Sequence, residues 1–575
     1  MKKFILTIHL FAVCALHAQN LPTSFEKSGG KQTATYFECI KYYKQLATQY
    51  SSILLKTGDT TDAGYPLNVL LYSAGKQFDP IVWHKQKKVV ILINNGIHPG
   101  EPDGVDASMM FLRDLARGKI KCPPNVAIAV IPLYNIGGSL NRSSFSRVNQ
   151  NGPESYGFRG NAQNLDLNRD FIKADSKNAR AFEKIFQWLN PDIFSDNHVS
   201  DGADYQYTMT LISTQHNKLQ REIGDFAHDV FDSALYRGMV QKNWPMIPYV
   251  NAEGDDPAKG WEAFYEPPRF SSGYAAMFET IAFIPETHML KPFADRVWST
   301  YYLMQTMMEQ ASVYANDIIT KRQHSIEALQ QQKQFVLSWK LDTTQYDIIN
   351  FKGYEPGYKT SDVTGMQRMF YDHTKPYNKP VKFYNTYVPA ATAEKPKAYI
   401  IPQGWWYAID LLKLNGVEMK RLDADTTIEV ECYHIDDYKS MPRPYEKHHR
   451  NYDVKLSTQT QSIKFLKGDY IICTGQPHDR YIVETLEPLS DDSFFSWNFF
   501  DAILQEKEGY SDYRWEDVAG EYIKQHPEIK QELEEKKKTD AKLAASSSLQ
   551  LNFVYKHSPY YESAHNRYPV YRLVK

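Results

Sequence analysis

Cysteine is scarce: the 575 residues contain five. Cys39, Cys122, Cys432 and Cys473 are far apart, and none forms the close pair that a cysteine-based zinc module needs. Their spacing leaves room for one or two disulfides but specifies no pairing. A charge surplus of either sign is also missing, with 66 lysines and arginines against 68 aspartates and glutamates. No basic stripe runs along the chain, which argues against a nucleic-acid partner. Beyond the first twenty residues no stretch is long and apolar enough to span a bilayer, and no internal repeat is visible. Aromatics are what the chain has in quantity: 40 tyrosines and 10 tryptophans, a composition suited to an extracytoplasmic protein with aromatic-lined grooves.

The first residues, MKKFILTIHLFAVCALHAQN, read as a secretory signal: Lys2 and Lys3, a short apolar core, and Ala18 before a cleavage point. Phe11 and Val13 fit a lipobox around Cys14 poorly. The expectation is an exported protein, periplasmic or extracellular, with residues 1–18 removed.

Residues 33–50 read as an amphipathic helix, and GDTTDAGYPLNVLLYSAG as a hairpin. KKVVILINN, VAIAVIPLYN, PDIFSDNH and TIAFIPETH are continuous apolar runs, three of them separated by helical segments. Strands covered on both faces look like this, so the first half is expected to be α/β: a mixed, largely parallel sheet flanked by helices. A helical stretch from about Ala294 to Gln334 would close it or bridge to the next domain. After Asp342 short strands alternate with turn signals, which predicts a β-rich accessory region over 341–575 with a charged helix near 528–545. Residues 19–340 would then be the catalytic domain, and Ser546–Ser548 a linker.

His98 and Glu101 stand in INNGIHPGEPDG, and His198 in IFSDNHVSDG. Each follows an apolar run. Pro99 and Gly100 let the chain turn sharply, so His98 and Glu101 can face one point. Two histidines and a glutamate are a ligand set that leaves a catalytic zinc one open position. Asp196, two residues before His198, points to the same side of a strand and can orient the histidine. A general base is also needed, and Glu279 and Glu286 compete. The strand between them puts them roughly 23 Å apart at about 3.3 Å per residue. Functional groups gather at the carboxyl ends of strands in such sheets, which selects Glu286.

In order and spacing HPGEPDG, LDLNRDF, SDNHVSDG and IPETHMLK resemble the zinc carboxypeptidase (funnelin, carboxypeptidase A-like) family, over roughly Phe37 to Val297. The resemblance implies one Zn2+ per chain on His98, Glu101 and His198, with Glu286 as catalytic glutamate. It implies that Asn168 and Arg169 hold the substrate's terminal carboxylate, a task that suits a planar guanidinium and an amide donor. It also implies an arginine that polarises the scissile carbonyl. Arg142, Arg147 and Arg159 are candidates; SRVNQNG is most similar to the family's pattern, which favours Arg147, then Arg142. A tyrosine that closes over substrate is implied as well, and both Tyr265 and Tyr274 lie at suitable positions.

The expected function is exported, zinc-dependent hydrolysis of the amide next to a free C-terminal carboxylate. Two alternatives stand beside it: a cell-wall peptide amidase or endopeptidase using the same zinc, and a non-catalytic binding protein that keeps the fold. Side-chain preference would be set within residues 254–274, where Asp255, Asp256, Glu262 and Glu266 occur.

Overall fold

A computed structural model describes residues 21–200, 202–252 and 255–574. The secretory-signal reading of residues 1–18 lies outside the described residues. Among the described residues the first half lays down nine strands: β1 (Ile53–Thr60), β2 (Pro66–Tyr72), β3 (Val89–Asn95), β4 (Val126–Ile131), β5 (Ile193–Ser200), β6 (Met209–Ser213), β7 (Met246–Pro248), β8 (Trp261–Glu262) and β9 (Ile281–His288). Eight of them form one sheet in the order β1-β2-β4-β3-β5-β9-β6-β7. Its centre, β4-β3-β5-β9, is parallel, and the β1-β2 hairpin and β6 run antiparallel to their inner neighbours. The mixed α/β sheet is the one the apolar runs imply: every residue of β3, β4 and β5 is buried. β-Branched and aliphatic side chains fit a sheet covered on both faces, and helices 36–49, 103–116, 177–189 and 293–313 supply the cover. The helical stretch after β9 is two helices, Phe293–Val313 and Ala315–Gln331, broken at Tyr314.

The second half is β-rich but not β alone. β10 (Gln334–Leu341) pairs with β13 (Tyr387–Glu394). Between them the hairpin of β11 (Asp347–Thr360) and β12 (Gln367–Tyr384) reaches back and pairs with β8. A six-stranded sheet follows, built from β14 (Ala398–Ile401), β15 (Lys420–Arg421), β16 (Thr426–Ser440), β17 (Asn451–Phe465), β18 (Tyr470–Cys473) and β19 (Tyr571–Leu573). Helices 512–525, 527–539 and 547–556 pack on one another around Trp515 and Tyr555. Ser546 is not linker: its side chain caps the last of these helices by accepting from the Leu549 N–H, as Ser does at helix starts.

One apolar core runs through both halves, joining Leu67, Val90 and Phe182 to Ile401, Tyr481, Phe494, Trp497 and Tyr568. The aromatic segment 494–500 is therefore core, and Trp405 joins it against Phe500. The four described cysteines are free thiols. No helix among the described residues is long and apolar enough to cross a membrane.

Candidate active site

β3, β5 and β9 are parallel neighbours, so their carboxyl ends meet at one edge of the sheet. The chain leaves β3 through the turn carrying His98 and Glu101. Gly100 is required there: a Cβ would sit 2.5 Å from Cδ of Arg147 and 3.1 Å from the Gly157 carbonyl. His198 and Glu286 are paired residues in the β5–β9 register, hence side by side on one face.

His98, Glu101 and His198 are 2, 3 and 4% exposed, and one donor atom from each lies within 4.8 Å of the others. His98 turns Nε2 to Asp166 Oδ1 at 2.9 Å, and His198 turns Nε2 to Asp196 Oδ2 at 3.2 Å. Each carboxylate accepts a hydrogen bond from Nε2–H, which leaves Nδ1 as the lone-pair nitrogen. Both Nδ1 atoms face Glu101: His98 Nδ1 is 3.2 Å from Oε1 and His198 Nδ1 3.1 Å from Oε2. His98 Nδ1 is buried with no hydrogen-bond partner among the described residues. A buried lone pair aimed at a carboxylate and a second imidazole, each imidazole held by an outer carboxylate, fits a catalytic zinc.

Burial works against ionisation of Glu101. The neighbouring His98 imidazole, the Arg147 guanidinium and His198 outweigh it and hold the carboxyl well below its ordinary range. Asp166 is partly buried and likewise held low, by His98, Arg159 and Arg169.

A cavity of about 470 Å³ opens over this cluster, with Glu286, Asn168, Arg169 and Arg159 in its wall. Asn168 and Arg169 ride on the short turn Leu167–Arg169, which Asp166 caps. The Arg169 guanidinium lies over the Phe270 ring at 4.1 Å and donates to the Asn168 carbonyl at 2.8 Å, which fixes its plane.

Several residues singled out in the sequence lie outside that wall. Arg147 passes beside Gly100 and spends its guanidinium on Glu101 Oε1 at 2.8 Å and on Gln150. Arg142 donates to the Ser155 carbonyl. Of the three candidate arginines the one in the wall is Arg159, whose Nε and Nη2 bind Asp166 while Nη1 lies 3.7 Å from Glu101. Seven residues before Asp166, it has no local pattern to mark it. Tyr265 turns away from the cavity because successive side chains alternate in this segment: Phe264 and Glu266 line the wall, and Tyr265 donates to Asp491 and stacks on Tyr387. Tyr274 is fully buried among Phe171, Phe186 and Phe278, and its hydroxyl donates to Asn415 at 2.6 Å. The tyrosine that does line the cavity is Tyr249.

Glu279 lies at the far end of β9, buried against Arg480 at 2.7 Å. His288 is tied to Asp204 at 2.9 Å and takes no part in the cluster. Of the acids between residues 254 and 274, Glu266 is in the wall; it is 4% exposed, accepts from Ser272, and its carboxyl is pushed up by burial.

Residues 39–218 match the family model described as zinc carboxypeptidase. The chain is 21% identical over 438 residues to carboxypeptidase 2 of Trichophyton rubrum, covering 72% of this chain and 74% of that protein. Carboxypeptidase 2 of Trichophyton equinum is 20% identical, with 71% and 74% covered. Among solved structures it is similar to a metallo-carboxypeptidase from Pseudomonas aeruginosa (12% identity, TM-score 0.37, 50% and 70% covered). A second is carboxypeptidase A from Helicoverpa armigera (13%, 0.37, 55% and 82%). Over residues 39–218 this chain is thus similar to the zinc carboxypeptidase family of peptidases.

Proposed function

We propose that the protein is an exported, zinc-dependent carboxypeptidase that hydrolyses the amide bond next to a free C-terminal carboxylate. The observation that carries the reading is one cavity wall that combines the His98–Glu101–His198 cluster, Glu286, and the Asn168–Arg169 turn.

Zinc held by His98, Glu101 and His198 would supply a Lewis acid that polarises a carbonyl and lowers the pKa of water. The chain's own groups do the rest. Arg169 offers a planar guanidinium and Asn168 an amide to the substrate's carboxylate, which sets the scissile bond at a constant distance from the cluster. Glu286, beside His198, takes the proton of the attacking water and returns it to the departing amine. Arg159 rather than Arg147 takes the oxyanion role, since Arg159 lines the cavity and Arg147 does not. Glu101 and His198 are held by the Val199 N–H and Asp196, so neither has to reorganise during the reaction.

The test is digestion of a peptide library, and of isolated cell-wall peptides, with and without a zinc chelator. Loss of single residues from free C-termini, abolished by the chelator and restored by zinc, is the expected result. Cleavage that ignores the chelator, or that occurs equally on amidated C-termini, contradicts it. Export is tested by N-terminal sequencing of the protein recovered outside the cytoplasm, which is expected to begin at Gln19.

A further inference from the structure

Asp166 is a hub of the site. Its Oδ1 accepts from His98 Nε2 and from the Asn168 N–H, both at 2.9 Å, and its Oδ2 accepts from Arg159 Nε at 2.9 Å. It thus sets one metal-site histidine, one wall arginine, and the turn that presents Asn168 and Arg169. Its own backbone N–H is held from the other half of the chain: it donates to Glu446 Oε2 at 2.8 Å, across 280 residues of sequence.

Glu446 sits at the tip of the β16–β17 hairpin. Tyr445 and His448 close that tip with paired backbone hydrogen bonds. The two residues between them, Glu446 and Lys447, are at φ +47° and +77°. A two-residue turn at positive φ normally calls for Asn-Gly, because other side chains are strained there. Strain of this kind persists only where the surroundings over-determine the conformation, and it clusters at functional sites. Here His448 Nε2 is tied to Asp175 at 2.7 Å, and Tyr445 stacks on Trp497. The tip is pressed into the first half with the Glu446 carboxylate aimed at one N–H.

We infer that Glu446 is a positioning residue of the metal site: through Asp166 it sets His98, Arg159 and the Asn168–Arg169 turn, so the second half of the chain completes the active site. This rests on the metal-site reading of His98, Glu101 and His198, not on the identity of the substrate. A carboxylate accepting from a backbone N–H forms a strong, directional bond, and it fixes Asp166 from the one side that the site itself does not.

The experiment uses the full-length protein carrying Glu446→Ala, Glu446→Gln or His448→Ala. The zinc dissociation constant is read by competition with a chromophoric chelator, and kcat and KM on a free-carboxylate peptide. Groups that hold a metal-ligating histidine directly are worth about 10- to 100-fold in metal affinity; Glu446 acts one bond further out, so about 3- to 10-fold is expected for E446A, with KM raised. E446Q keeps an oxygen that accepts from Asp166 and is expected to stay near wild type. H448A frees the tip from Asp175 but leaves the Glu446–Asp166 bond, and is expected to keep its zinc affinity. Unchanged zinc affinity in E446A, or an equal loss in H448A, overturns the inference, the second result meaning that Glu446 only helps the halves dock. Should E446A fail to fold, Glu446→Asp, one methylene shorter, carries the same expectation. Wild-type protein that takes up no zinc refutes both the metal-site reading and this inference. A zinc shift in E446A without any peptide hydrolysis refutes only the proposed activity.

Discussion

Replacing Arg169 by methionine tests the substrate end of the site directly. The guanidinium is fixed by the Phe270 ring at 4.1 Å and by the Asn168 carbonyl at 2.8 Å, so its remaining edge is already oriented. A hydrogen bond to a charged group contributes about 1.5–3 kcal/mol. Arg169 is half-buried, so screening trims the lower cost of a bidentate pair, and about 2 kcal/mol is a reasonable coupling. That is about 30-fold in kcat/KM. The assay is a cycle rather than a single mutant: wild type and R169M, each on a peptide with a free C-terminus and on its amide. Wild type is expected to prefer the acid, and R169M to lose about 30-fold on the acid and little on the amide. If both substrates lose equally, Arg169 acts on the fold or the metal and not on the terminal carboxylate, and the exopeptidase argument fails.

Three further outcomes are expected. Glu286→Gln lowers kcat by about 10²- to 10⁴-fold, the usual contribution of a general base, while elemental analysis finds the wild-type zinc content; unimpaired turnover removes Glu286 from the mechanism. Asp106 is buried with Oδ2 unpartnered, and burial pushes its carboxyl up to about 7. An acid raised on folding costs nothing below its unfolded pKa of about 3.9, and the full penalty is present above about 7, close to 4 kcal/mol for a shift of about three units. Asp106→Asn is therefore expected to stabilise the protein in denaturant titrations at pH 8 and much less at pH 4.5; an equal gap at both pH values would show that the charge is not the cause. Tyr274→Phe should cost about 1–3 kcal/mol of stability, because Asn415 loses a buried donor, and leave KM unchanged. A KM effect at wild-type stability would return Tyr274 to the substrate site.

The strands were legible because their signal is local. An uninterrupted apolar run such as Val89–Ile93 or Ile281–Ile284 can be satisfied only where both faces are covered, and here each such run is a strand of the central sheet. The His-x-x-Glu turn was legible for the same reason: its residues are three apart and its geometry follows from proline and glycine. The choice between Glu279 and Glu286 also came from local geometry, since strand length alone separates the two ends of β9.

The arginines and tyrosines show where local reasoning stops. Arg147 and Arg159 both reach Glu101, and which of them lines the cavity depends on how the loop folds over Gly100 and Asp166. Tyr265 and Tyr274 differ from Tyr249 in no sequence property. One is turned away by alternation along an extended segment, and the other is taken into an aromatic core.

By itself the sequence determined the central sheet, the edge at which chemistry could gather, and a donor set with the charge and softness for zinc. Those follow from periodicity, strand polarity and side-chain type. The tertiary structure decided which groups surround that donor set: Asp166 on His98, Arg159 in the wall, and Glu446 from the far hairpin on Asp166. These contacts join segments up to 280 residues apart, and no local pattern encodes them, because each is satisfied only once two separately formed elements are packed against each other.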